Sequence, residues 1–166
     1  MKKNLFELFY LLFVVLILFF LFNCREPSTE SSGSENDPTP SLVGEWLSDY
    51  NELFIIADDE TPPMFYSQYA GTTSYAGEII EHDNYSGKSG YISIQYTENS
   101  TDPSVVGKFY RIHWEALTLS ACKISGAYRA DLAGSAQYSA DTLEDAKNNF
   151  TVENGAFLGG SDCNKQ

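Results

Sequence analysis

The chain has 166 residues, room for one folded domain with extensions, and its 43% hydrophobic and 14% aromatic content supplies a real core. Its net charge is −13. A surface this acidic repels phosphate, which disfavours nucleic-acid binding and rules out a polybasic route to an anionic membrane, so any membrane attachment must come from apolar groups.

Such a group stands first in the chain. Lys2 and Lys3 make a short basic start, and Leu5 to Phe22 is apolar except for Glu7. The unbroken run, Leu8 to Phe22, has 15 residues. That is short of the roughly 20 a spanning helix needs and suits the hydrophobic core of a secretory signal. A retained N-terminal anchor and a cleaved signal compete as accounts of it. The run ends at Cys24, with Leu21 three positions before it. This pairing resembles the cleavage box of bacterial lipoproteins, where the signal is cut before the cysteine and the thiol takes a diacylglyceryl group. Phe22 and Asn23 depart from the strict box, as the looser boxes of spirochaete lipoproteins do. The resemblance implies a signal peptide over 1–23, lipidation with palmitate-type chains at Cys24, and a place in the cell envelope, at the outer membrane, the cell surface or the periplasmic face. The alternative is a core-type cysteine closing a membrane helix. Acyl anchors contribute about 0.8 kcal/mol per buried CH₂, and two or three chains hold a protein stably on a bilayer. Arg25 to Pro40, rich in Ser, Glu, Pro and Thr, has no apolar period. With Cys24 it forms a polar tether over 24–40 with a reach of about 20 Å.

From Ser41 the pattern changes to short alternating runs broken by Gly, Asn, Asp and Pro. "GEWLS" (Gly44 to Ser48) and "ELFIIA" (Glu52 to Ala57) read as strands. "DDETPP" breaks the chain, and "FYSQYAGTTSY" is ambiguous. "AGEIIEHDNY" reads as a strand running into a turn. In "YISIQYT", Ile92, Ile94 and Tyr96 share one face. In "KFYRIHWEAL", Tyr110, Ile112, Trp114 and Ala116 oppose Arg111, His113 and Glu115. In "ACKISGAYRA", Cys122, Ile124, Gly126 and Tyr128 oppose Lys123, Ser125 and Arg129. One apolar and one polar side, three times in succession, is the signature of an antiparallel meander with one face on a core. "DTLEDAKNNF" reads as a helix, with Thr142 as N-cap, Asp145 three residues on, and Leu143, Ala146, Lys147 and Phe150 as its stripe. "FTVENGAFLGG" reads as a last strand. The expected fold is mainly β: a small antiparallel barrel or half-barrel of seven to eight strands over 41–166, with one short helix near the C-terminus.

Gly44 and Trp46, ahead of a meander and a late helix, make this architecture similar to the lipocalin type. "KFYRIHWEALTLSACKISGAYRAD" followed by "DTLEDAKNNFTVENGAF" resembles a block of small treponeme surface lipoproteins, which implies an address rather than a chemistry.

Cys122 and Cys163 remain once Cys24 is lipidated. An even pair in an exported domain suggests a disulfide; the alternative is a buried thiol at Cys122 and a loose one at Cys163. "EHD" (Glu81, His82, Asp83) offers metal-type ligands, but strand neighbours point to opposite faces and cannot meet one ion. Arg111, His113 and Glu115 share a face that proton transfer could use, although a solvated outer face accounts for them better. With two histidines in the chain, no metal, cofactor or catalytic residue is expected. The tyrosines are more suggestive. Ten of the 11 follow the signal, and Phe65, Tyr66, Tyr69 and Tyr75 cluster after Pro62–Pro63, where rigid amphipathic rings suit a binding surface. The expectation is a non-catalytic, lipid-anchored envelope protein. Its partners would be the membrane, through the anchor, and either a small apolar or amphipathic ligand in or at the mouth of a barrel or a surface protein. A structural or antigenic envelope protein without a ligand is the alternative, and a hydrolase-type enzyme comes third.

Overall fold

The computed structural model describes Pro38–Gln166. The signal peptide over 1–23, Cys24 and the tether up to residue 37 lie outside the described residues. Eight strands follow in order: β1 (Gly44–Ser48), β2 (Glu52–Ala57), β3 (Met64–Tyr69), β4 (Thr72–His82), β5 (Gly90–Asn99), β6 (Phe109–Glu115), β7 (Ala121–Gly126) and β8 (Ser161–Lys165). Each pairs antiparallel with its sequence neighbours, and β8 returns to β1 through Trp46↔Lys165 and Ser48↔Cys163. The expected meander is therefore a closed eight-stranded barrel, which satisfies the backbone groups that open edges would expose.

Period-two patterning explains the closure. Trp46, Phe54, Ile56, Phe65, Ile92, Ile94, Ile112, Trp114 and Ile124 point inward and fill the barrel with side chains. Each large apolar side chain removed from water contributes about 1.5–3 kcal/mol. The stretch that was ambiguous in sequence resolves into the β3–β4 hairpin. Its two-residue turn, Ala70–Gly71, has positive φ at both positions, 51° and 76°. Glycine adopts such a φ freely and alanine does not, so the turn lacks the Asn-Gly signal that marks most such hairpins.

The barrel has two unlike ends. At the closed end lie the entering chain, the 58–63, 83–89 and 116–120 loops, and the C-terminus. Leu42, Trp46, Tyr85 and Trp114 plug it, all buried. The Trp46 indole donates to the Leu42 carbonyl at 2.7 Å, the Trp114 indole to the Gly87 carbonyl at 3.1 Å, and the Leu42 amide to the Tyr85 carbonyl at 2.9 Å. The other end carries the β1–β2 and β3–β4 turns, the 100–108 loop and the long 127–160 excursion.

That excursion contains the helix α1 (Leu143–Asn149). Thr142 caps it, accepting from the Asp145 amide at 3.1 Å. Ala146 and Phe150 are fully buried, as the stripe requires. Helix α1 packs on the outer face of β5 and β6, and this corrects the expectation of a solvated polar face. Arg111 and His113 are only 8% and 9% exposed. Arg111 Nη1 donates to the Phe150 carbonyl at 3.0 Å and the Lys147 carbonyl at 3.3 Å, and Arg129 Nη1 donates to the Asn149 carbonyl at 2.7 Å. Two arginines thus satisfy carbonyls that a helix C-terminus leaves orphaned.

Three further expectations are corrected. Ala116 has φ of 56° and is exposed, so it ends β6 rather than extending the inward face. Tyr128 lies beyond β7 and is 53% exposed. Residues 151–159 form turns, and the last strand is the polar Ser161–Lys165 instead.

Cys122 and Cys163 do face each other across β7 and β8, but as free thiols rather than the expected disulfide. The pairing geometry supplies a reason. The Lys165 amide donates to the Ser120 carbonyl at 2.9 Å, so Cys122 and Cys163, two positions along, form a hydrogen-bonded opposition of the ladder. The Cβ atoms of such pairs sit toward the wide end of roughly 4.5–5.5 Å, beyond the roughly 3.5–4.5 Å of a disulfide. A hydrogen bond to Cys163, together with burial, pushes the Cys122 thiol up, which keeps it protonated and unreactive at neutral pH.

Candidate functional site

At the end opposite the tryptophan plug, a cavity of about 280 Å³ opens between the barrel wall and its loops. Tyr75 on β4, Tyr96 on β5 and Tyr110 on β6 form its wall, because all three are inward positions near the ends of their strands. Tyr96 and Tyr110 stack with centroids 5.2 Å apart, and Tyr75 meets them edge-on at 6.0 Å and 5.7 Å. Gly126 is what lets Tyr110 lie there. A Cβ at that position would fall 2.1 Å from the Tyr110 hydroxyl oxygen. Phe65 stacks on Tyr75 from below at 5.9 Å, and Phe150 meets Tyr110 at 6.3 Å, tying the site to both the core and helix α1.

Tyr138 and Asp102, with Thr101 beside them, complete the cavity from the loops. The segment before helix α1 bridges to the start of β6, with amide–carbonyl bonds of 2.8 Å in both directions between Phe109 and Ala140. This lays Tyr138 across the mouth. Its hydroxyl donates to Asp102 Oδ2 at 2.7 Å, and its carbonyl accepts from the Tyr96 hydroxyl at 3.3 Å. Asp102 itself is fixed by the Ser104 hydroxyl at 2.6 Å and the Ser104 amide at 3.1 Å, both on Oδ1.

The charge states follow from these contacts. Hydrogen bonds from Ser104 and then Tyr138 hold the Asp102 carboxyl below the usual carboxylate range, helped by the nearby Lys108. Burial pushes the Tyr75, Tyr96 and Tyr110 phenols up, and the bond to Asp102 does the same for Tyr138. At neutral pH the cavity therefore holds four neutral phenols beside one carboxylate. A second acid, Glu52, lies close enough to Tyr75 and Tyr110 to push both phenols up electrostatically, its carboxylate accepting from the Ser67 hydroxyl. No lysine or arginine belongs to the cavity's lining.

Of the four aromatic residues expected to bind a ligand, Tyr75 alone lines the cavity. Phe65 is fully buried core. Tyr66 points outward, donating to Glu60 Oε2 at 2.8 Å. Tyr69 is 58% exposed on the β3–β4 hairpin at the rim. The Pro62–Pro63 segment lies at the closed end, so it forms no part of the mouth. Tyr96 and Tyr110 were legible as inward-facing but not as wall residues, and neither Tyr138 nor Asp102 carried a local signal.

The acid–base groups that sequence alone brought into question are held apart. Glu81 pairs with Lys147 at 3.1 Å, His82 stacks on Tyr85 at 3.9 Å, and Asp83 accepts from the Tyr91 amide at 2.9 Å. His113 lies against Tyr91 and Phe157 at 5.0 Å and 5.4 Å, and burial lowers its pKa. A second hollow, over β7 and β8, is lined by Ala116, Ala121, Lys123, Asp162 and Asn164 with both cysteines, and offers no ring. Comparison with family models, curated proteins and solved structures found no match, so the geometry of the mouth is what bears on function.

Proposed function

We propose that this is a non-catalytic binding protein of a bacterial cell envelope, held on the membrane by acyl chains at Cys24 and taking a small ligand with an apolar or amphipathic face at the barrel mouth. The observation that carries the binding half is the tyrosine-walled cavity of about 280 Å³. It lies just under the roughly 300–1,000 Å³ of common small-molecule sites and has their make-up, apolar rings with a few convergent polar groups. The barrel interior is packed, which favours the mouth over a deep calyx. The anchor half draws on the apolar run, the Leu21–Cys24 spacing and the polar tether. The packed interior also gives weight to a second reading, an envelope protein with no small ligand.

Two measurements test the proposal. Native mass spectrometry of the protein released from its own membrane should show a bound small molecule, lost on Tyr110→Ala; an empty protein favours the second reading. Cells fed labelled palmitate should label the wild-type chain and not Cys24→Ser. A wild-type chain that stays unlabelled overturns the anchor.

A further inference from the structure

Resting on that binding reading, we infer that the mouth cavity takes a small organic cation, an amine or a quaternary ammonium, in preference to an anion or an acyl chain. Three features of the site lead there. The first is its rings. Tyr75, Tyr96 and Tyr110 meet at centroid distances of 5.2–6.0 Å, with Tyr138 closing the mouth above them. The face of a phenol ring carries a negative quadrupole, and a cation over it is attracted most strongly where water is excluded.

The second feature is charge. Asp102 is held in place by two bonds from Ser104 and one from Tyr138, which fix its position and keep it ionised. Glu52, held by the Ser67 hydroxyl, lies close enough to Tyr75 and Tyr110 to act on both electrostatically. The nearest cation to Asp102, Lys108, is committed to Asp141 at 3.0 Å. Arg111 lies on the outer face of the barrel, turned to the carbonyls that end helix α1. A ligand cation would be the first positive charge inside the cavity.

The third feature is the direction of the hydrogen bonds. The Tyr138 hydroxyl is used on Asp102, and the Tyr96 hydroxyl on the Tyr138 carbonyl. Two of the phenol donors that an anion would use are thus turned to protein acceptors, while the carboxylate and the ring faces remain for a cation. An acyl chain fails on room, since the barrel below Tyr75 is filled by Phe65, Phe54 and their neighbours.

The experiment compares choline with its neutral carbon analogue, dimethylbutanol, which has the same shape without the charge. Binding of each to the full-length chain in a nonionic detergent is measured by calorimetry, with the tyrosine ring resonances as a monitor of place. Choline is expected to bind about tenfold or more tightly than dimethylbutanol, the size of a desolvated cation–π contribution, and to shift the tyrosine rings. Asp102→Asn is expected to weaken choline by several fold and leave dimethylbutanol unchanged. Equal affinity for the two probes, or tighter binding of the anion hexanoate, overturns the cation inference while the pocket stands. Failure of all three to bind overturns the inference and the pocket together.

Discussion

The two ends of this barrel are both closed by aromatic rings, and they are built to opposite purposes. At the closed end, Trp46 and Trp114 have no exposed surface, and each indole N–H is spent on a backbone carbonyl of the chain that covers it. At the open end, Tyr75, Tyr96, Tyr110 and Tyr138 leave about 280 Å³ between them, and the covering chain is tied down through a carboxylate. Indoles with one polar atom can be sealed into a plug. Phenols with a terminal hydroxyl keep a polar rim at the point where ring meets water. One end is sealed and the other leaves space for a ligand, and the same class of side chain serves both.

The largest test of this division is Trp46→Ala. Removing a fully buried large ring costs about 3–5 kcal/mol through lost transfer energy and the remaining cavity. It would also leave the Leu42 carbonyl without its donor and Lys165, 5.2 Å above the ring, without its platform. Tyr138→Phe, at the other end, keeps its ring and loses one hydroxyl bond to Asp102. Denaturant unfolding of the two variants should separate them clearly. Similar losses for both would erase the distinction between a sealed end and a working one.

A smaller effect is expected from Gly126→Ala. The new Cβ would fall 2.1 Å from the Tyr110 hydroxyl oxygen, so the ring must move. Overpacking of this kind costs about 1–3 kcal/mol, and here the displaced ring is a wall of the cavity. Unfolding and the Tyr110 ring resonances should change together. If stability and spectrum are both those of the wild type, the wall is not built as described.

These tests also mark what was legible in the sequence. "YISIQYT" and "KFYRIHW" showed their inward faces directly, because Ile, Tyr and Trp at every second position can serve only one side of a sheet. "SDCNK" did not, although it alternates just as well. Its inward positions are Ser161, Cys163 and Lys165, and Lys165 is admitted because Trp46 offers it a ring face and the Ser41 carbonyl accepts from its ammonium at 3.1 Å. Arg111 and His113 looked solvated because nothing near them in sequence says that helix α1 will return to cover them. The buried stripe of Ala146 and Phe150 held half of that information, since it had to pack on something. The site was the least legible part. Tyr138 and Asp102 lie 36 residues apart in two different loops, and the contact that joins them exists only once the excursion after β7 has folded back on β6 through the Phe109–Ala140 bridge.

The smallest effect, and the sharpest for the comparison, is one of pH at the open end. Asp102 titrates below the usual carboxylate range because Ser104 and Tyr138 bond to its ionised form. A depressed folded-state pKa means that the unfolded chain binds the proton more readily, so this contribution to stability is fully present above the unfolded value of about 3.9 and is lost as pH falls through the lower folded value. In that window Asp102 takes up a proton, its bonds from Ser104 and Tyr138 weaken, and Tyr138 loses its side-chain tie to the 100–108 loop. NMR titration should therefore show the Asp102 carboxyl and the Tyr138 ring changing together below pH about 4. The Trp46 and Trp114 indole signals should stay constant over the same range, because their partners are backbone carbonyls that do not titrate. In Asp102→Asn the Tyr138 transition should vanish. A Tyr138 ring that shifts unchanged in that variant would mean that some other group ties the mouth, and one that never shifts in the wild type would mean that the tie does not depend on charge.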